Sequence, residues 1–404
     1  MSRILFISKW FPYPSDNGSK IRVYNLLRGL GAEHQVTLLS FTDQRDVNYN
    51  ATAMRDLCRC REVDVLPWKP FDPRDRRARL GFLSPIPRSV VDTFSPEMKQ
   101  LIQRTLSAKD YDLVIASQTT SAAYAPFFGR LPALFEELEA SVFYEQFTRA
   151  TSTQARIRYG LTWAKHRRYL AHLLPYYRAC TVVSEPEREL LRAAAPGYQA
   201  VEVIPNCINL ADYANVHRAT ELNTLIFTGS FRYYANHDAM VWFLREIYPR
   251  IQSQIPDVRL TITGDHANLP LPAAENVVLT GFVDDVRSRI AASAVSIAPI
   301  RLGGGTRMKI IEAMALRTAV VATSKGVEGL DARHDEHLLI ADAPDAFAQA
   351  VVRLLGDPAL RQRLADNAYR LIQQKYDWAV VMPHFLDLVE RVAQAKPLSQ
   401  PVSS

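Results

Sequence analysis

Val295-Ser296-Ile297-Ala298-Pro299-Ile300-Arg301-Leu302-Gly303-Gly304-Gly305-Thr306-Arg307-Met308-Lys309-Ile310-Ile311-Glu312-Ala313-Met314-Ala315 passes from an apolar run through three glycines into helix-forming residues. The apolar run reads as a buried strand ending at Pro299, and the residues after Arg307 read as a helix. Such a strand–loop–helix step is the unit of a parallel sheet covered by helices. The same grammar extends outward in both directions. Towards the amino terminus lie Val277–Leu279, Arg259–Thr263 and Thr224–Phe227. Towards the carboxyl terminus lie Ala319–Ala322 and His337–Ile340, with helical periodicity in Met240–Gln252 and Asp345–Leu355.

The first half repeats the alternation with Ile4–Ser8, Gln35–Ser40, Leu113–Ala116, Ala133–Phe135 and Cys180–Val183, and a helical stretch from Lys20 to Leu30. Two successive αβ series of about 200 residues each predict an α/β protein of two Rossmann-like domains. A (β/α)₈ barrel would need eight units in about 250 residues. The polar stretch between Val203-Ile204-Pro205-Asn206 and Thr224 is the expected hinge. The expected domains are residues 1–208 and 209–376, followed by 377–404, a closing helix that returns to the first domain and a frayed tail from Gln394.

Composition narrows the class. The 404 residues are 48% hydrophobic and 22% charged, which excludes disordered, collagenous and disulfide-scaffold chains. No apolar run approaches the roughly 20 residues that span a bilayer. Ile4–Ser8 is too short for a signal-peptide core. Four cysteines in so long a chain suit a reducing compartment, so a cytoplasmic location is expected. The net charge of +6 is unevenly placed. Residues 1–202 hold 28 basic and 21 acidic side chains; residues 203–404 hold 20 and 21. The excess concentrates in Lys69–Arg88 and in Gln146–Ser184, where no acidic residue occurs.

Three loops follow strands and could hold an anion. The triple glycine lets backbone approach a ligand closely, and the helix start behind it favours negative charge. Lys309 and Glu312 share one face of that helix, so a lysine could meet phosphate oxygens and a carboxylate could chelate a ribose diol. A plain Gly-rich loop with a surface Lys–Glu pair has the same spacing. Phe227-Thr228-Gly229-Ser230 leads to Arg232, which could face a leaving phosphate or simply solvent. Pro12 to Gly18, followed by Arg22, forms the third loop. Phe135-Glu136-Glu137-Leu138-Glu139 supplies carboxylates after a strand, either a general base or an ordinary acidic helix start. No compact His/Cys/Asp cluster has metal-ligand spacing, and no Gly-x-Ser-x-Gly elbow occurs.

In order and spacing, these residues resemble the GT-B-fold, family 4-type glycosyltransferases of bacterial exopolysaccharide synthesis. The resemblance runs over nearly the whole chain. It rests on the loop with Gly18 and Arg22, on Val183-Ser184-Glu185, Val203–Ile208 and Phe227–Ser230, and on Gly281-Phe282-Val283-Asp284-Asp285-Val286-Arg287. Gly303–Ala315, Thr323–Leu330 and Tyr376-Asp377-Trp378 complete it. It implies two Rossmann-like domains facing across a cleft and a nucleotide-sugar (UDP-, GDP- or dTDP-linked) held by the second domain. A glycan or lipid-linked acceptor would be held by the first. Transfer would be retaining and need no metal and no cofactor beyond the nucleotide-sugar co-substrate.

Carried over by position, Glu312 grips the ribose, and Gly303, Gly304, Gly305 and Thr306 lie by the diphosphate and sugar. Phe282 and Val283 meet the base, and Gly18, Gly229 and Ser230 also line the donor. Arg232 and Lys309 are the catalytic phosphate contacts, Glu137 is the catalytic carboxylate candidate, and Arg22 and Glu139 stand on the acceptor side. The chain departs from the pattern at Gly304, where the family often has a glutamate, and at Arg317 and Ala319, where it usually has Gly and Pro. The family's frequent first-domain histidine has no match; Glu136–Glu139 occupies that place. These departures keep two alternatives open, a non-catalytic sugar-nucleotide-binding subunit and a GT-B sugar-nucleotide epimerase. The basic, aromatic-rich stretch from Arg156 to Leu174 suits an anionic membrane surface, hence a peripheral membrane site at the inner face, or an ordinary solvated helix. Nucleic acid is not expected, since no recognition module accompanies the charge.

Overall fold

The computed structural model describes residues 1–15, 17–42, 55, 58–304 and 307–395. The chain divides into two compact units, Met1–Asn206 with the chain from Met382 onward, and Cys207–Val381.

The first unit is built on a seven-stranded sheet. Its strands are β1 (Arg3–Ser8), β2 (Gln35–Thr42), β3 (Glu62–Pro67), β4 (Leu113–Ser117), β5 (Ala133–Glu136), β6 (Ala179–Val182) and β7 (Val201–Val203), in the order β3-β2-β1-β4-β5-β6-β7. All six pairings are parallel. The central strands are apolar on both faces because helices cover both sides, so Ile4 to Ile7 and Leu113 to Ala116 lose all contact with solvent. The two strands that the sequence pattern does not mark, β3 and β7, are the sheet's edges. Their exposed or half-exposed Glu62, Asp64 and Glu202 break the apolar run that identifies an interior strand.

The second unit carries six parallel strands. They are β8 (Glu221–Thr228), β9 (Arg259–Thr263), β10 (Val277–Gly281), β11 (Ser293–Ala298), β12 (Ala319–Ala322) and β13 (Leu339–Ile340), in the order β10-β9-β8-β11-β12-β13. Where the sequence suggests one helix over 240–252, the chain forms helix Tyr234–Trp242, a π-turn at Phe243–Ile247 and helix Tyr248–Gln252. Pro249 has no N–H to donate and explains the break. Among the described residues no helix is long and apolar enough to cross a membrane. The frayed tail expected from Gln394 lies almost wholly outside the described residues.

Arg22 holds the first unit's core together. Its side chain, 1% exposed, stands on helix Gly18–Glu33, which Asn17 caps by accepting from the Lys20 N–H at 3.1 Å. Arg22 Nε donates to Glu136 at 2.6 Å. Its Nη1 donates to the carbonyls of Ile204 (2.9 Å) and Pro205 (3.0 Å) and to Asn206 Oδ1 (3.1 Å). Glu136, wholly buried at the end of β5, also accepts from Ser117 Oγ at 2.7 Å. One guanidinium thus ties the first helix, β4, β5 and the end of the unit. This corrects the expectation that Arg22 faces an acceptor: it is a structural cation. The final helix, Trp378–Ala393, packs on the same unit where Met382 fills the space left by the missing side chain of Gly29. Arg391 pairs with Glu202 at 3.3 Å.

Removing either partner of the buried pair leaves the other charge unpaired and desolvated. Arg22→Met should therefore lower unfolding free energy by about 3–5 kcal/mol. The check is a urea melt followed by far-UV circular dichroism; a change within about 0.5 kcal/mol, as for an ordinary surface substitution, would show that the pair does not anchor the unit.

Candidate active site

In an open parallel sheet, ligands bind beyond the carboxyl ends of the strands where the strand order reverses. In the second unit that point lies between β8 and β11, and both loops there were singled out from the sequence. The loop after β8 begins at Gly229, whose φ of +143° is a conformation open to glycine. A β-carbon there would stand 2.7 Å from Asn236 Nδ2 and 3.1 Å from Lys309 Nζ. Asn236 Nδ2 donates to the Ser230 carbonyl at 2.8 Å, and Lys309 Nζ donates to Asn236 Oδ1 at 2.8 Å. The ammonium also sits 3.9 Å from the centre of the Phe227 ring. Burial, then the charge of Arg307, holds Lys309 well below the ordinary lysine value of 10.5, while Glu312 opposes this. A desolvated cation, with one neutral hydrogen-bond partner among the described residues, stands at the start of two helices, Tyr234–Trp242 and Met308–Ala315. Such a group gains strongly from an arriving anion.

The loop after β11 is braced from inside. Arg307 is buried, and its guanidinium donates to the Gly304 carbonyl at 2.6 Å and to the Gly303 carbonyl. Because the peptide unit is trans, the Gly304 N–H is directed away from Arg307. Gly303 has φ +87°, and a β-carbon there would collide with the Tyr233 hydroxyl, so only glycine fits. Gly305 and Thr306 lie outside the described residues. Glu312, on the same helix as Lys309, accepts from the Tyr213 hydroxyl at 3.1 Å. Burial raises its carboxyl, against the lowering effects of Tyr213, Lys309 and Arg287.

Other sequence candidates take different positions. Arg232 is largely exposed and ion-paired to Asp265, so it is no unengaged phosphate ligand. Ser230 Oγ donates to the Asp265 carbonyl at 3.2 Å and accepts from the Arg232 N–H, which makes it a brace for the turn. Phe282 is exposed and Val283 half-buried on the loop after β10, the edge strand, two strands from β8.

In the first unit the order reverses between β1 and β4. Gln118, just past β4, has φ +66°, and Glu137, just past β5, has φ +56°. Gln118 Nε2 donates to Glu137 Oε2 at 2.9 Å and to Ser19 Oγ at 3.3 Å. The Glu137 N–H donates to Thr181 Oγ1 at 3.0 Å. Burial, then the charge of Glu136, raises the Glu137 carboxyl, with Arg22 and Gln118 opposing. Lys9, after β1, lies 4.6 Å from the Trp10 ring and 5.2 Å from the Trp68 ring. Its ammonium is lowered by burial and raised by Glu137 and Glu139. Glu139 is exposed, and Gly18 opens the helix that carries Arg22. Glu33, His34 and Glu390 bring ligand-type atoms within 4.8 Å, but His34 precedes β2 and so stands at the sheet's amino edge, opposite these loops.

Both halves match glycosyltransferase family models. Residues 16–212 match "Glycosyltransferase Family 4" and residues 223–357 match "Glycosyl transferases group 1". The chain belongs to the family 4-type glycosyltransferases. An uncharacterized 44.6 kDa protein in the cps region of Klebsiella pneumoniae is 26% identical over 38% of this chain and 42% of its own length. TuaC of Bacillus subtilis, which carries the name of a teichuronic acid biosynthesis glycosyltransferase, is 26% identical over 33% and 34%. The chain thus spans less than half the length of these curated relatives. Among solved structures, HepE of Anabaena, in complex with UDP-glucose, matches with TM-score 0.68 and 14% identity over 97% of this chain and 100% of that one. The fold of this family 4-type chain is therefore GT-B.

The structure brings Gly229, Lys309 and Asn236 together, and joins Glu312 to Tyr213. Arg307 lay unremarked inside the glycine-rich stretch 295–315, and Asn236 lay unmarked four residues beyond Arg232. Tyr213 lies in the polar stretch read as a hinge, where nothing marks it. Lys9 and Gln118 had no motif at all.

Glu137 supplies a test with a defined sign. A carboxyl raised by burial makes folding less favourable as pH rises above its ordinary value of 4.5. Glu137→Gln keeps an acceptor for Gln118 and removes that cost. It should raise the melting temperature by a few degrees near neutral pH and leave it unchanged at pH below the unfolded carboxyl range. Equal melting shifts at both pH values in scanning calorimetry would contradict a buried, raised carboxyl.

Proposed function

We propose that this chain transfers a glycosyl residue from a nucleoside-diphosphate sugar to a hydroxyl of a glycan or lipid-linked acceptor. The setting we propose is exopolysaccharide or other cell-surface polysaccharide synthesis on the cytoplasmic side of the membrane. The observation that carries the reading is the desolvated Lys309 ammonium, held 2.8 Å from Asn236 against Gly229 at the second sheet's switch point. Its need for an anion is what a diphosphate supplies. The Glu312 carboxylate, steadied by Tyr213, suits a ribose diol, and the UDP-glucose held by the HepE fold supports a nucleotide-sugar donor.

In the proposed reaction the bond from the anomeric carbon to the diphosphate oxygen breaks, and a bond from that carbon to the acceptor oxygen forms. The acceptor's proton leaves with the nucleoside diphosphate. Lys309 and the helix starts beside it stabilise the charge that develops on the departing diphosphate, the larger catalytic term. Retention at the anomeric carbon and independence of metal belong to this proposal. On the first unit, Glu137 and Gln118 are assigned to orient an acceptor hydroxyl. A sugar-nucleotide binder without turnover and an epimerase are separated from transfer by one assay. Purified protein is incubated with radiolabelled UDP-, GDP- and dTDP-sugars and a membrane extract. Label appearing in lipid or glycan supports transfer. A changed sugar configuration without acceptor marks an epimerase, and binding without turnover marks a binder.

Two substitutions test the donor half directly. Lys309→Met should weaken UDP binding by about 10–100-fold, the effect of losing a charged hydrogen bond of about 1.5–3 kcal/mol. Glu312→Ala should do so for UDP but much less for inorganic pyrophosphate. Because bound diphosphate favours the charged lysine, binding takes up a proton, and affinity should fall as pH rises towards the ordinary lysine value of 10.5. Calorimetry in buffers of different ionisation enthalpy measures that uptake; a pH slope surviving in Lys309→Met would overturn the assignment.

A further inference from the structure

The first unit presents an apolar tip ringed by arginines that no part of the donor or acceptor chemistry uses. Helix Arg76–Leu80 ends in the turn Gly81-Phe82-Leu83, followed by Ser84-Pro85-Ile86. Phe82 is 67% exposed, Leu83 90% and Leu80 57%, with Ile86 and Phe71 also exposed. The tip is held rather than loose. The Phe82 N–H donates to the Arg79 carbonyl at 3.1 Å, the Leu83 N–H to Leu80 at 3.0 Å and the Gly81 N–H to Arg77 at 2.9 Å. Arg88 donates to the carbonyls of Ala78 (2.8 Å) and Pro73 (2.9 Å) while its guanidinium stacks 3.8 Å from the Phe82 ring centre. A rigid scaffold therefore keeps the largest apolar side chains of this segment in water.

A second element extends the surface. On helix Thr153–Leu173, Ile157, Leu161 and Lys165 follow one another at i, i+4 and i+8 and so form one stripe. Lys165 Nζ donates to the Gly81 carbonyl at 2.6 Å, which joins this stripe to the tip. Ile157 and Leu161 are 61% and 68% exposed. Arg74 in the preceding turn, Arg76, Arg77 and Arg79 on the tip helix and Arg156, Arg158, Arg167 and Arg168 on the longer helix are all exposed. Among the described residues Arg74, Arg76 and Arg79 make no ion pair. No acidic residue occurs from Arg76 to Val91 or from Gln146 to Ser184.

We infer that this face docks on an anionic lipid bilayer, with Phe82 and Leu83 entering the headgroup boundary and the arginines meeting lipid phosphates. The physical case is one of shape and charge together. Phe82 and Leu83 stand largely in solvent, and a fluid interface accommodates such side chains without a shaped recess. Apolar tip and cationic rim match the two layers of a membrane surface, acyl boundary and anionic headgroup. Arg88 lays its guanidinium over the Phe82 ring, and both Arg88 and Lys165 end on backbone carbonyls that fix the tip. The inference deepens the proposed lipid-linked acceptor by naming how the enzyme reaches the bilayer, and rests on that reading only for its biological purpose.

The test is flotation of the full chain with vesicles of equimolar phosphatidylglycerol and phosphatidylcholine, against vesicles of phosphatidylcholine alone. The wild-type chain should float with the mixed vesicles, remain behind with the neutral ones, and be released by high salt. The double substitution Phe82→Ser with Leu83→Ser should lower partitioning at least about tenfold. Arg76→Gln with Arg79→Gln should lower it on mixed vesicles by a similar factor. UDP binding and the unfolding midpoint, measured without vesicles, should be unchanged in both variants, since every altered side chain is exposed. Partitioning unaffected by either double substitution would overturn the inference. So would a dimer in sedimentation that Phe82→Ser with Leu83→Ser dissolves while vesicle binding is absent. Loss of UDP binding in the wild-type chain would instead count against the donor reading alone.

Discussion

A parallel strand cannot turn back beside itself. Each must hand its chain to a crossover, and every loop that leaves a carboxyl end emerges at the same edge of the sheet. That constraint organises both units of this protein. It sets the loop after β8 beside the loop after β11, and the loop after β1 beside the residues after β4 and β5. It also brings helix starts to those edges, with their N–H groups and partial positive charge. The chemistry open to the second unit follows from what the chain places at that edge, namely Lys309, Asn236 and a glycine where a side chain would collide.

The two edges carry opposite electrostatic problems. At the second sheet a cation is desolvated, and among the described residues it meets an amide oxygen and an aromatic face. At the first sheet carboxylates crowd together, and the protein separates their roles. Glu136 goes inside, neutralised by Arg22 and hydrogen-bonded by Ser117, and Glu137 stays half-buried with Gln118 as its partner. Adjacent residues in sequence thus end in different environments because β5 stops between them and the backbone at Glu137 turns into the left-handed region. Such local strain marks residues whose position matters more than their comfort.

Much of the fold was legible from alternation alone, because strands buried on both faces read as unbroken apolar runs. The edge strands β3 and β7 were not, since half of each faces water and their charged residues erase the signal. At the site, Lys309, Gly229 and Glu312 announced themselves through a glycine loop opening a helix. Arg22 was misread because an arginine beside a glycine loop looks alike whether it faces ligand or core. For Arg232 the sequence left ligand and solvent open, and only the structure shows it exposed and paired with Asp265. Phe82 and Leu83 carry no motif, and an apolar pair in a sequence does not say whether it is buried.

The sequence by itself determined the two-sheet α/β architecture, the glycine loops and the asymmetry of charge between the halves. Those depend on local propensity and on hydrophobic period, which are properties of neighbouring residues. The tertiary structure alone decided which charges are neutralised inside and which are left to meet a ligand. It joined Lys309 to Asn236 across 73 positions and Arg22 to Glu136 across 114. Burial and pairing are properties of residues distant in the chain, and desolvation sets the chemistry of a charged group only once those distances are closed.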